Sequence, residues 1–228
     1  MRLKTNHKEF SIVRVTASVA ILVVVLLSVS IIYLLTTNQL FFPSKPKPTP
    51  EVVIPETPTI TTTIALKPYT IHGLTENELN EDKKRKGPKK NGQGYAAMTY
   101  YHFSPLYTLD EAQIVCSPGP VSILLSVSIH LPQWERPEYP RVERSLIEKW
   151  DTFHKNLLTH EYGHADIIES NIRRMLADLN TIELLKSCND VRTRMNEIQS
   201  NYRRIIDKEN EKYDEETKYG WTQDAYFH

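Results

Sequence analysis

From Val15 to Leu35 the chain runs for 21 residues without a charge, and 17 of them are apolar. A helix of that length, at about 1.5 Å per residue, spans about 30 Å, the thickness of a bilayer's hydrocarbon core. A secretory signal peptide has a shorter apolar region, about 7–15 residues, and then a small-x-small cleavage site. Here the run ends in Ile31-Ile32-Tyr33-Leu34-Leu35, with no Ala-x-Ala beside it. A transmembrane anchor over residues 15–35 is the expectation, with a cleaved signal peptide as the alternative.

Charge sets the expected orientation. Residues 1–14 carry Arg2, Lys4, Lys8 and Arg14 against Glu9, a net of +3. The chain has 28 basic and 28 acidic residues, so the remainder carries 24 against 27, a net of −3. The positive flank belongs in the cytoplasm, which makes 1–14 a cytoplasmic tail and exports the rest across the cell membrane. A net-acidic exported part argues against a nucleic-acid partner. At 228 residues there is room for one domain plus appendages. The mean hydropathy of −0.43 excludes a polytopic membrane protein, and 40% apolar residues exclude a wholly disordered chain.

Between Phe42 and Pro58 stand six prolines, and Thr61–Thr63 continue a polar, β-branched theme. Proline fixes φ and supplies no amide donor, so residues 36–59 read as an extended, semi-rigid linker. The exported domain then occupies 60–228. Ile60, Thr62, Ile64 and Leu66 alternate as in a strand, and Pro68 to Gly73 turns the chain. Thr75 and Glu78 form a capping box that opens a helix over 76–84, broken at Gly87-Pro88. Residues 97–103 and 121–131 are strand-like, and Pro132 is expected to end the second.

The period then changes from 2 to 3.6. Leu146, Trp150, Phe153, Leu157, His160, His164 and Ile168 share one stripe of a helix expected over Arg144 to Leu179. Val191, Met195, Ile198, Tyr202 and Ile205 mark a second long helix, and 213–228 reads as a loop. Strands first and helices after give an α+β domain: a small, mainly antiparallel sheet packed on two long helices. Cys116 and Cys188 both fall in the exported part, where an even count favours a disulfide over two buried thiols.

The chemistry lies in His160-Glu161-Tyr162-Gly163-His164, an H-E-x-x-H motif. Histidines four apart lie about 40° apart around a helix, so both rings can reach one ion. Glu161 points about 100° away, placed to act as general base on a water in zinc-assisted peptide hydrolysis. Gly163 costs about 1 kcal/mol in a helix interior, which points to a backbone segment packed closely beside the second histidine. A catalytic zinc needs a third protein ligand, and no H-x-x-G-x-x-H continuation supplies it. Glu169 falls about 180° round the helix from His160, so the ligand must come from elsewhere, and the C-terminal tail is its best source.

The run from Tyr69-Thr-Ile-His-Gly73 to Thr75 and Glu78, then Gly87-Pro88 and Leu131-Pro132-x-Trp134, form an ordered set. Trp150-x-x-Phe153, the His-Glu-x-Gly-His element and Tyr213-Asp214-x-x-Thr217 complete it. Together they resemble a bacterial domain-of-unknown-function family, number 922, described as predicted secreted zinc-dependent proteases. The resemblance covers about residues 60–228 and implies a zincin-like metallopeptidase domain. In that family the tail reads Tyr-Asp-x-x-Thr-x-His-Gly, its histidine being the natural third ligand. Tyr219 stands at that position here, which makes it the candidate third ligand, with Asp214 and His228 as alternatives.

The expectation is a membrane-anchored zinc metallopeptidase working on peptide or protein outside the cell membrane. His160 and His164 hold Zn2+, and Glu161 activates the water. Zincins commonly bind peptide as an added strand at a sheet edge, and 121–131, directly before the active helix, is the candidate edge. A catalytically silent binding module at the cell envelope, or a structural zinc site, is the competing reading. Six cations between Lys83 and Lys90 read as a solvated loop.

Overall fold

The computed structural model describes residues 57–109, 115–138 and 142–227. The expected tail 1–14, anchor 15–35, the linker as far as residue 56, and His228 lie outside the described residues. Among the described residues, no helix is long and apolar enough to cross a membrane.

Strand β1, Ile60–Ile71, opens the domain and leads to helix α1, Glu76–Lys86. The capping box is present in full: Thr75 Oγ1 accepts from the Glu78 amide, and Glu78 accepts from the Thr75 amide. Gly87 closes the helix, and two short strands follow, β2, Lys89–Lys90, and β3, Gln93–Gly94, joined through Asn91-Gly92 in left-handed conformations. A helix end and a hairpin therefore replace the expected basic loop. Asn and Gly are the residues that tolerate a two-residue turn with both φ positive. Strands β4, Met98–Leu106, and β5, Ser122–Trp134, come next. Two long helices complete the order: α2, Arg144–Leu179, and α3, Cys188–Thr217.

The domain is α+β, but its sheet is mixed. The order is β1-β5-β4, with β1 parallel to β5 and β4 antiparallel to it. The strand expected at an edge is thus central. Ile123, Leu125, Val127, Ile129 and Leu131 all point inward and are buried, so the most apolar strand takes the place with neighbours on both sides. Pro68 and Pro105 fall on the flanking strands, where a missing amide is tolerated. Alternation along β5 reveals which side chains face the core and says nothing of which strands lie beside it.

Pro132 does not end β5. The amides of Ile123 and Glu135 bond to Thr59 and Ile71 on the β1 side, so odd-numbered amides of β5 face β1. Pro132 therefore faces the β4 side, where the ladder has already finished at Met98–His130. No ladder bond is lost there. By the same alternation, Thr99 and Tyr101 of β4 are opposite odd residues and turn their own amides and carbonyls toward the open edge.

One face of the sheet packs on the helices. Trp150, Phe153, Leu157, Ile168, Ile172 and Met175 of α2 meet it, and Val191, Met195, Ile198, Tyr202 and Ile206 of α3 pack alongside. Each such side chain stabilises the fold by about 1.5–3 kcal/mol. The α3 seam passes through fully buried Ile206, with Ile205 only half-buried beside it. A disulfide joins Cys116 to Cys188, and the backbones of Cys116 and Leu185 exchange hydrogen bonds next to it. That ties the β4–β5 connection to the start of α3.

Candidate metal centre

Helix α2 places His160, Glu161 and His164 on its buried side. The residues expected to form a tail loop instead continue α3 to Thr217, with a short 3-10 turn at Trp221–Gln223 beyond. Apolar periodicity misses this because the seam turns polar: after Tyr202 and Ile206 it passes through Asn210, Tyr213 and Thr217, still stepping by three and four. Antiparallel packing of the two helices brings this polar end over the histidine pair.

Asp214 completes a cluster. Its Oδ1 lies 3.3 Å from His160 Nε2 and 3.1 Å from His164 Nε2. The three ligand-type atoms all fall within 4.8 Å of one another, a spacing that suits a shared cation. The other ring nitrogens are engaged. His160 Nδ1 is 2.8 Å from Gln223 Oε1, and His164 Nδ1 is 2.7 Å from Asn210 Oδ1. The Asn210 orientation is fixed in turn, since its Nδ2 donates to the Ile206 carbonyl, and the Gln223 amide bonds the Tyr213 hydroxyl. An amide oxygen only accepts, so His164 Nδ1 carries a proton toward Asn210, and the Nε2 atoms of both rings are aimed at the cluster. This donor set, two imidazoles and one carboxylate, could hold a metal ion.

Charges in the cluster support one another. Burial would raise the Asp214 carboxyl, but the hydrogen bonds and charges of His160 and His164 outweigh it and bring the value down to about 2. Burial likewise opposes charging His164, yet its bonds to Asp214 and Asn210, with the Asp214 and Glu161 charges, raise it above the ordinary histidine value.

Glu161 faces the sheet. It is buried, and its Oε2 accepts a 2.7 Å hydrogen bond from Thr99 Oγ1 on β4. Burial is the largest influence on its carboxyl and raises it, against the lowering effects of Thr99 and the two histidines. A carboxylate pushed upward is a better proton acceptor.

Gly163 is explained by a side chain, where a backbone segment was expected. A Cβ at Gly163 would overlap the Tyr213 hydroxyl and its ring carbon. The Tyr213 ring stacks on His160 at 5.0 Å and meets His164 edge-on at 4.9 Å. It walls both histidines from one side.

The cluster opens into a groove of about 730 Å3. One wall is the β2–β3 hairpin and residues 94–101, and the other is α3 with the turn after it. Tyr219 sits on the rim, 62% exposed and left-handed in backbone, while Asp214 lies inside against both histidines. Of the tail residues considered from sequence, Asp214 is the one found in the cluster, and His228 is outside the described residues. Thr99, Asn210, Tyr213 and Gln223 carry no metal-ligand signature; Tyr213 stands in the Tyr213-Asp214-x-x-Thr217 motif, and only the α3 seam could have pointed to Asn210.

A family model described as "Bacterial protein of unknown function (DUF922)" matches residues 66–220, which is 155 of the 228 residues. The match includes β1 from Leu66, the H-E-x-x-H helix and Asp214. Neither a curated protein nor a solved structure matches the chain significantly. The chain belongs to this DUF922 family.

Proposed function

We propose that this DUF922 member is a zinc-dependent metallopeptidase, anchored through residues 15–35 and working outside the cell membrane. The observation that carries the reading is the convergence of His160, His164 and Asp214 within 4.8 Å, beside a buried glutamate and an open strand edge. A zinc ion held there supplies Lewis-acid polarisation of a carbonyl and a more acidic water.

The chain's own residues then do the rest. Thr99 holds Glu161 in the lining of the groove, where its carboxylate would take the proton of the attacking water and return it to the leaving amine. Asn210, Gln223 and Tyr213 keep both histidine rings oriented. Strand β4 offers the outward amides and carbonyls of Thr99 and Tyr101 to an extended peptide, which would add as a fourth strand beside Glu161. The disulfide accords with an oxidising compartment.

A second reading has its own observation. Asp214 Oδ1 lies within 3.3 Å of both histidine Nε2 atoms, so protonated imidazoles would pair with it directly without an ion, as in a catalytically silent binding module. One comparison separates the two. The zinc-loaded full chain should hydrolyse unfolded casein, and Glu161→Gln should cut turnover by about 10²–10⁴-fold while zinc stays bound. Zinc without Glu161-dependent turnover supports the silent module.

A further inference from the structure

The metal centre uses none of the six cations at residues 83–90. The fold sorts them. Arg85 and Lys86 pair with Asp82, Lys84 is exposed on α1 away from the groove lining, and Lys83 lies over the rings of Phe153 and Phe227, at 4.5 and 5.2 Å from their centroids. Lys89 and Lys90 are different. They form β2, are exposed, and line the same groove as His160, Glu161 and His164. Lys218, which closes α3, lines it as well. None of these three has an ion-pair partner among the described residues.

Contacts along the walls fix which end of the groove is which. Thr99 meets Glu161, Tyr101 meets Asp207 at 3.4 Å, and Arg203 lies 4.0 Å over Phe103. Rising numbers on β4 therefore run beside falling numbers on α3. The hairpin precedes β4, so it lies toward the Lys218 end, and Asp207 lies toward the other. The groove is thus basic on the hairpin side of the metal centre and acidic on the Asp207 side. From Gly94 to Thr99 is five residues, at most about 17 Å of extended chain, so one bound peptide reaches from Glu161 to the lysines.

We propose that Lys89, Lys90 and Lys218 form a subsite for carboxylates, so that the groove selects peptides with acidic residues within about five positions of the bond presented to Glu161. This rests on the peptidase reading only in taking the bound chain to be a peptide lying along β4. An anionic membrane surface is the weaker partner, because the lysines line a groove shared with the metal centre and the chain beyond residue 14 is net acidic.

The test is fluorescence anisotropy with the full-length, zinc-loaded chain carrying Glu161→Gln, in neutral detergent, so that bound peptide is not cleaved. The probes are labelled twelve-residue Ala/Thr peptides with a block of three Asp, three Lys or three Ser at either end. The Asp peptide should bind about tenfold tighter than the Lys peptide in one of the two polarities, with Ser between them. The preference should collapse at 0.5 M salt and invert in Lys89→Glu/Lys90→Glu. Equal binding of the three peptides, or a preference that survives the charge reversal, overturns the subsite. So does loss of binding to phosphatidylglycerol vesicles in the double variant without change in peptide preference, which would give the lysines to a membrane. If no peptide binds at all, the peptidase reading fails with it, whereas charge-blind binding leaves that reading standing.

Discussion

Gly163 shows how closely the centre is packed. A methyl group there would collide with the Tyr213 hydroxyl, and Tyr213 stacks on His160. Gly163→Ala should therefore lower stability by about 1–3 kcal/mol in urea unfolding, despite the better helix propensity of alanine. In a Tyr213→Ala background the same change should cost almost nothing, so the double-mutant cycle reads their coupling directly. Equal costs in both backgrounds would place the strain elsewhere. At this scale the sequence offers His160, Glu161 and His164 as candidates, because the spacing of metal ligands on a helix is a fixed geometric demand, and the fold brings the two histidines to Asp214. It does not yield Thr99, 62 residues away and held to Glu161 only by the fold, nor Gln223, whose amide meets His160 from the turn after α3. Such residues are ordinary polar side chains until packing brings them in.

The elements were legible where local physics decides them. Helix α2 runs over Arg144–Leu179 as its apolar stripe demands, and α1 starts at the capping box. Strand neighbours and the polar end of α3 were not, because neither leaves an apolar period. Asp82 connects α1 to the end of β1 and is the element-scale ion to test. Although burial would raise its carboxyl, bonds from Arg85, Lys86 and the His72 amide hold it well below the usual carboxylate range. A folded value below the unfolded one means stability that is present above pH 4 and is lost as pH falls toward the folded value. Wild type should thus lose Tm between pH 5 and pH 2, and Asp82→Asn should start lower at neutral pH and fall less. A parallel acid profile for both proteins would remove Asp82 from the account.

For the molecule as a whole, the candidate metal centre and the disulfide meet α3 at its opposite ends. Cys188 opens α3 and Asp214 lies near its close, 26 residues or about 39 Å of helix apart. The bond closes a loop with a sequence separation of 72, for which the chain-entropy model gives about 4 kcal/mol. Cys116→Ser/Cys188→Ser should lower unfolding stability by about that amount and leave zinc affinity within about twofold. Coupled losses of both would mean that the helix pair acts as one unit. The central claim is that Asp214 joins His160 and His164 around one ion, and it is tested most directly by zinc stoichiometry and affinity in the purified full chain. One tightly bound zinc per chain is expected in wild type and in Tyr219→Phe, with affinity lower by more than about a hundredfold in Asp214→Ala. Zinc retained in Asp214→Ala and lost in Tyr219→Phe, or no zinc in wild type, would contradict the account.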